Sequence, residues 1–194
     1  MFNRMLGRTR YVVCRLFIHL SGSDVAPILG TLNSVARDVL DDEGDMETTG
    51  EGLARICQSL LQYDDFWTSA ANEGDVFWSE GEAGDFVNEL FTDSAQRYLS
   101  EPDFTNANNS NQPLSAPATR NVIVMLTAAF EGEVPELETD LSNIQALKQG
   151  LKALINVCNN NKLRAAQVHF SPAQFGDELT SDQILQHYPE LIPL

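Results

Sequence analysis

The chain has 194 residues, a formal net charge of −16 and a hydrophobic fraction of 43%. That length allows one domain with a hydrophobic core, and the hydrophobic fraction excludes a largely disordered chain. Because so negative a protein is repelled by phosphate backbones and anionic lipid headgroups, we expect no nucleic-acid binding and peripheral membrane contact at most.

The cysteines and the start of the chain bear on the compartment. Three cysteines lie far apart in the sequence: Cys14, Cys57 and Cys158. They form no CxxC pair and no metal-ligand spacing, so we interpret them as thiols of a reducing compartment. No run of about 18 uncharged apolar residues occurs, and no small-residue cleavage site follows the arginine-rich start. The sequence predicts a cytoplasmic protein.

Residues 11–20 (YVVCRLFIHL) fit two structures. As a strand they form one wholly apolar face, with Arg15 and His19 on the other face. As a helix they align these two residues with earlier arginines along one stripe. β-Branched and aromatic residues favour the strand. Residues 21–24 then supply capping side chains for a helix over residues 25–40.

Two further helices and one extended segment are predicted before residue 100. An acidic linker over residues 41–50 precedes a helix over 51–62, and a third helix covers roughly 81–99. Between these two helices, residues 66–78 predict a short strand or hairpin. Residues 101–119 are rich in Asn, Ser and Pro and predict a flexible surface loop within a single domain.

The last third of the chain predicts a β-α-β-α unit. The unit consists of a buried strand over 121–130, a helix capped by Asp140 or Ser142 and ending at Cys158, a strand over 162–170 and a short helix over 180–187. A crossover helix of this length makes the two strands parallel or leaves room for a strand between them. The sequence therefore predicts one α+β domain over residues 1–194. It has a helical amino-terminal half, then the β-α-β-α unit, and a small central sheet of three to four strands.

No motif for catalysis, a cofactor or a metal is present in the sequence. The acidic run over 41–47 resembles a calcium loop, but it places Met46 where the turn needs Gly and Gly52 where a bidentate Glu is needed. Cys158 and His169 lack the glycine-rich elbow of a nucleophile and its base. We therefore predict no catalytic, cofactor-binding or metal-binding residues and no enzyme activity.

Two groups of residues are candidates for binding a partner. Aromatic side chains with polar neighbours are enriched at interfaces, which singles out Phe66, Trp67, Phe77 and Trp78. Packing in the core is the alternative role, and the more common one. The basic start contributes three arginines that suit an anionic membrane surface or a partner: Arg4, Arg8 and Arg10. Pairing of these arginines with the molecule's own acids is an equal alternative.

The carboxyl-terminal third carries a family resemblance. Its segments are NVIVMLTAAFEGEVPEL, DLSNIQALKQGLKALINV and LRAAQVHFSP, and the ending GDELTSDQILQHYPELIPL is the most specific. Together they resemble a family of cyanobacteria and chloroplasts known as domain of unknown function fifteen-seventeen. The resemblance covers most of the chain and is strong after Arg120. Within the family the chain is similar to the short cyanobacterial branch, whose members are described as thylakoid-associated, and the family has no catalytic residues to transfer.

The resemblance and the charge together imply a function. We expect a non-catalytic protein that is peripheral on the cytoplasmic face of thylakoid membranes and binds a membrane protein complex, in assembly or regulation. One alternative is a soluble cytoplasmic adaptor or regulator with no membrane link, whose acidic segment meets a basic partner. Another is an enzyme whose site is assembled from residues distant in the sequence.

Overall fold

The computed structural model describes residues 8–97, 119–173 and 176–194, in which five helices pack on a five-stranded sheet. The elements are, in order, β1 (Tyr11–Ser21), α1 (Ile28–Asp41), α2 (Met46–Gln62), β2 (Trp67–Phe77), α3 (Glu80–Arg97), β3 (Asn121–Glu131), α4 (Ile144–Asn159), β4 (Leu163–Ser171), α5 (Ser181–His187) and β5 (Ile192–Pro193). Single 3-10 turns cover Asp64–Phe66 and Pro135–Leu137. The loop predicted over 101–119 lies outside the described residues, apart from Thr119.

The sheet is antiparallel throughout, with the strand order β4-β3-β1-β2-β5. β1, the first strand of the chain, therefore lies at the centre of the sheet. Leu16 of β1 lies opposite Leu126 of β3 on one side and Asn72 of β2 on the other. The structure confirms the strand interpretation of residues 11–20, because both edges of this segment are paired and both of its faces are covered.

The predicted arrangement of elements is wrong in two respects. The chain begins with the central strand rather than with a helical half, and the sheet has five strands rather than three to four. The fifth strand, β5, was not predicted and is only two residues long. β1 was predicted as a strand, but not as the centre of the sheet. Two residues are too few to show a strand pattern in the sequence, and the place of a strand in a sheet depends on tertiary contacts rather than on its own composition.

The β-α-β crossover is also different from the prediction. β3 and β4 are direct neighbours and antiparallel, with Thr127 opposite Gln167. The loop after β3 makes the outward crossing, since Asn72 of β2 bonds the backbone of Thr139 and Leu141. Helix α4 then returns the chain to the carboxyl-terminal end of β3, where β4 begins. A returning helix makes the flanking strands antiparallel.

Single capping side chains set the starts of α2 and α4. α2 begins at Met46, inside the predicted linker over 41–50, because Asp45 caps it by accepting two backbone N–H bonds. α4 is capped by Asn143 rather than by Asp140 or Ser142. Asp140 instead accepts from the backbone and hydroxyl of Ser142, in the turn before the cap.

Helices cover both faces of the sheet. Alternate residues of β1 enter the larger core under α1, α2 and α4: Val12, Cys14, Leu16, Ile18 and Leu20. On the opposite face, Val13 packs with residues of α3, and Phe17 packs with residues of α5 and the tail after it. A strand covered on both faces needs apolar residues at nearly every position, which explains why only Arg15 and His19 interrupt the apolar sequence of residues 11–20.

Candidate functional site

An apolar groove with a volume of about 360 Å³ lies between α1, α2 and strand β4. Its lining residues are Leu32, Val35, Ala36, Val39, Leu40, Thr49, Leu53, Ile56, Ala166, Gln167, Val168 and Phe170. This lining, drawn from the part of the chain that the structure describes, includes no charged side chain. In a chain with 40 Asp, Glu, Lys and Arg residues, the groove is an uncharged area on an acidic molecule.

The groove exists because α1 packs on α2 more than on the sheet. Gly52 of α2 permits this contact, since a Cβ at that position would lie 2.6 Å from Cγ1 of Val35. The apolar residues of α1 spread wider than the stripe that faces α2. Val39 is only half-buried, and Leu40 is 77% exposed at the rim of the groove. Leu40 therefore extends the apolar surface of the groove into solvent.

The outer edge of β4 is open in the sense that no strand in the described part of the chain pairs with it. Among the described strands, β4 pairs with β3 alone. The N–H and C=O groups along its other edge are therefore not hydrogen-bonded to a neighbouring strand. Residues 165–170 are all half-buried and include no Asp, Glu, Lys or Arg. His169, the one titratable residue among them, lies on the face away from the groove. Natural edge strands are usually protected by charged residues, by Pro or by a cover. The centre of β4 has none of the side-chain protections.

Charge is distributed unevenly around this edge. The 36 residues over 141–176, which include β4, contain no Asp or Glu and four Lys or Arg. In contrast, residues 41–47 contain five acids and are exposed at every position. This acidic run joins Leu40 at the groove rim to α2, whose Gly50 lies beside Leu163 at the start of β4. Glu47, Glu51 and Arg164 line the surface at this point, and Arg164 is paired with Glu131. The uncharged groove therefore ends in a mouth with an excess of acidic residues.

The structure divides the four aromatic candidates between the two ends of β2. Trp67 is buried in the large core, and Phe66 packs against the same core and lies 6.0 Å from Tyr63, ring centre to ring centre. Phe77 contacts Phe86 at 5.4 Å. Ten residue steps along a strand separate the two pairs by about 33 Å. They do not form a single surface, and Phe66 and Trp67 contribute to the core.

The basic candidates divide as well. Arg10 pairs with Glu138 through two N–H groups and donates to the carbonyl of Gly132 at 2.6 Å. This pairing lowers the pKa of the Glu138 carboxyl. Arg8 is exposed and, with Arg10 and Trp78, lines a pocket of about 300 Å³ that Glu131 and Glu133 also line. Arg4 lies outside the described residues. Of the three arginines, at least Arg10 is therefore already paired with an acidic residue of the same chain.

A polar row crosses the sheet on the face that packs against α3. Glu73, Arg15, Thr127 and Gln167 lie side by side on four neighbouring strands. The Arg15 side chain is buried, and it bonds Glu73 and pairs with Asp93 of α3. The row was not predicted, because its members are distant in sequence. Its ion pairs hold α3 on the sheet, which is a structural role.

The thiols and imidazoles lie within the packing. Burial raises the pKa of Cys14 to about 12 and that of Cys158 to about 11, so their thiolates are disfavoured at neutral pH. Cys158 faces the large core, and His169 lies on the opposite face of β4, so these two do not meet as nucleophile and base. Among the described residues, no group of three or more His, Cys, Asp and Glu side chains is arranged to hold a metal ion.

The two strand histidines give the protein a pH-dependent stability. Burial lowers the pKa of both His19 and His169 below the usual value of about 6.5. The unfolded chain therefore binds more protons as the pH falls below that value, and the free energy of unfolding decreases. We expect the urea midpoint to fall between pH 7.5 and pH 5.5. The variants His19→Asn and His169→Asn should each flatten this slope, and an unchanged slope in both would contradict the assignment.

No helix within the described ranges is long and apolar enough to cross a membrane. Residues 10–194 match the family whose description is Protein of unknown function (DUF1517). The match extends over β1 and the amino-terminal helices as well as over the carboxyl-terminal segments that carry the resemblance. No curated protein and no solved structure matches the chain.

Proposed function

The chain belongs to the family described as Protein of unknown function (DUF1517), and within it we propose a non-catalytic protein that binds a protein partner. The partner belongs to a complex of the thylakoid membrane, which the chain meets as a peripheral protein on the cytoplasmic face. Its role is assembly or regulation of that complex. The resemblance to the thylakoid-associated branch supports the location, and the surface of the molecule supports the mode of action.

One observation carries the proposal: the apolar groove runs along an open strand edge. An open edge with an apolar groove beside it is a risk for aggregation in a protein that never pairs it. It is also the surface to which extended peptides bind in strand-addition complexes. A net charge of −16 disfavours direct adhesion to anionic lipid, so attachment through a protein partner is the mode that the charge favours.

The acidic run over 41–47 favours a second candidate, a soluble adaptor or regulator that meets a basic partner away from the membrane. Both candidates use the same side of the molecule. They differ in whether the protein is recovered with membranes.

The proposal is tested by rebinding of the purified full chain to thylakoid membranes from cyanobacterial cells. We expect binding to salt-washed membranes and release at high salt, because the surface is strongly charged. Membranes whose exposed proteins have been removed by protease should not bind the chain, and neither should vesicles of extracted thylakoid lipids. Binding to these vesicles would refute attachment through a protein. A chain that stays soluble at every salt concentration would favour the soluble adaptor.

A further inference from the structure

We propose that the partner binds as an extended segment, which adds to the outer edge of β4 and fills the adjoining groove. The segment is apolar at alternate positions and is followed by Lys or Arg residues that meet the acidic run over 41–47. This inference deepens the proposed function by defining the chemistry of the partner. It concerns the binding surface alone and holds for a membrane or a soluble partner.

The first step is the hydrogen bonding. The open edge of β4 presents alternate N–H and C=O groups outward, and an added strand pairs with them without any rearrangement of the sheet. Every pair within the described sheet is antiparallel, so we expect the added strand to run antiparallel to β4. Residues 166–170 offer a pairing length of five residues, which is typical of a strand.

The second step is the side chains. Ala166, Val168 and Phe170 alternate along β4 and all line the groove. In an added strand, every second side chain points to the same face and enters the groove beside α1. A volume of about 360 Å³ lies at the small end for binding sites and suits a few apolar side chains. Leu40 at the rim extends the apolar contact beyond the strand itself.

The third step is the charge. The acidic mouth lies near the start of β4, whereas Phe170 lies at the far end of the groove. An antiparallel added strand reaches that mouth with its carboxyl-terminal end, which places the Lys or Arg residues after the apolar positions. Acidic residues in the partner are excluded by repulsion from the five exposed acids over 41–47.

A second copy of this chain fits the site less well. Pairing of two β4 edges brings together two molecules that each have a net charge of −16. Neither copy supplies Lys or Arg residues after its own β4, where the sequence continues as SPAQFGDEL. The charge pattern therefore favours a different protein as the occupant.

Selection from a library of random 12-residue peptides displayed on phage, with the immobilised full chain as bait, tests the proposal. We expect the enriched peptides to alternate apolar and polar residues, to carry Lys or Arg near the carboxyl end and to lack Asp and Glu. Binding of the best synthetic peptide is then measured by fluorescence anisotropy. It should weaken at least about tenfold in the variant Leu40→Glu, which places a charge in the apolar contact.

The variant Leu185→Glu is the matched control, because Leu185 is 73% exposed on α5, away from the groove. It should bind the peptide like the native chain. The variant Val168→Lys should weaken binding like Leu40→Glu, provided that circular dichroism shows the native fold. Since Leu40 is exposed, its variant keeps the test valid even if the Val168 variant fails to fold.

Several results would overturn the proposal. They are no enrichment over uncoated beads, enriched peptides rich in Asp or Glu, and equal loss of affinity in the two leucine variants. A concentration-dependent dimer that Leu40→Glu abolishes would assign the edge to a second copy. The result of this test is independent of the result of the membrane-binding test of the proposed function. Thylakoid binding that Leu40→Glu leaves unchanged would remove the groove from the mechanism and leave the membrane role standing.

Discussion

The double variant Glu73→Gln/Asp93→Asn is expected to unfold with a free energy about 3 kcal/mol lower than that of the native chain. The side chain of Arg15 is only 3% exposed, and its Nε and Nη1 atoms lie 2.8 Å from Glu73 and 2.6 Å from Asp93. Without both carboxylates, a buried cation keeps neutral acceptors such as the Ser94 hydroxyl and the Leu90 carbonyl. These retained bonds keep the loss at the low end of the usual range for breaking a buried ion pair.

The variant Arg15→Met is the matched comparison. The Glu73 and Asp93 side chains are 45% and 38% exposed, so water can solvate them once the arginine is removed. The methionine fills much of the volume of the arginine stem. We therefore expect a smaller loss than in the double variant. Urea unfolding at pH 7 measures both, and a larger loss for Arg15→Met would show that the buried cation is not what the carboxylates stabilise.

The variant Gly74→Ala is expected to lower the free energy of unfolding by about 2–3 kcal/mol. A Cβ at this position of β2 would lie 2.4 Å from the carbonyl oxygen of Val13 and 3.0 Å from the Cα of Cys14. Both are backbone atoms of the central strand, so no side-chain rotation can relieve the close contact. β2 must move away from β1 and weaken the pairing at the centre of the sheet.

Gly84→Ala is the control for this effect. Gly84 lies in helix α3, and a Cβ there would meet nothing within 4 Å. Because alanine is the better helix former, this variant should gain about 0.5–1 kcal/mol. Thermal or urea unfolding of the two variants gives opposite signs if the close approach at Gly74 is real. A loss below about 0.5 kcal/mol for Gly74→Ala would contradict it.

Elements with a strong local pattern were predicted well. Apolar spacing of 3.6 residues, together with helix start and stop signals, located all five helices. The predicted third helix over 81–99 ends in the structure at Arg97, the last residue described there. Each end of the strands β3 and β4 was predicted to within one residue. These signals are local, because the spacing of apolar residues within a helix or a buried strand reflects which of its sides are buried.

Candidate binding residues were harder to predict, because a surface is made of several elements. Trp67 and Trp78 are near in sequence, but an extended strand sends them to opposite ends of the sheet. The groove residues Leu40, Val168 and Phe170 were not singled out, although two signals in the sequence point to them. The apolar residues of α1 occupy more than one helical stripe, and no acid occurs over 141–176.

The sequence by itself determined most of the local structure: the approximate positions of the five helices, the strands β3 and β4, and which sides of these elements are apolar. It also determined the charge contrast between the acidic run over 41–47 and the acid-free stretch over 141–176. The tertiary structure alone decided that β1 is central, that β3 and β4 are antiparallel and that β4 is left as an open edge. The physical reason is that strand partners and strand order follow from contacts between residues distant in sequence, such as Leu16 with Leu126 and Thr127 with Gln167. No local pattern encodes such a contact, and the groove beside β4 exists only because that order leaves it there.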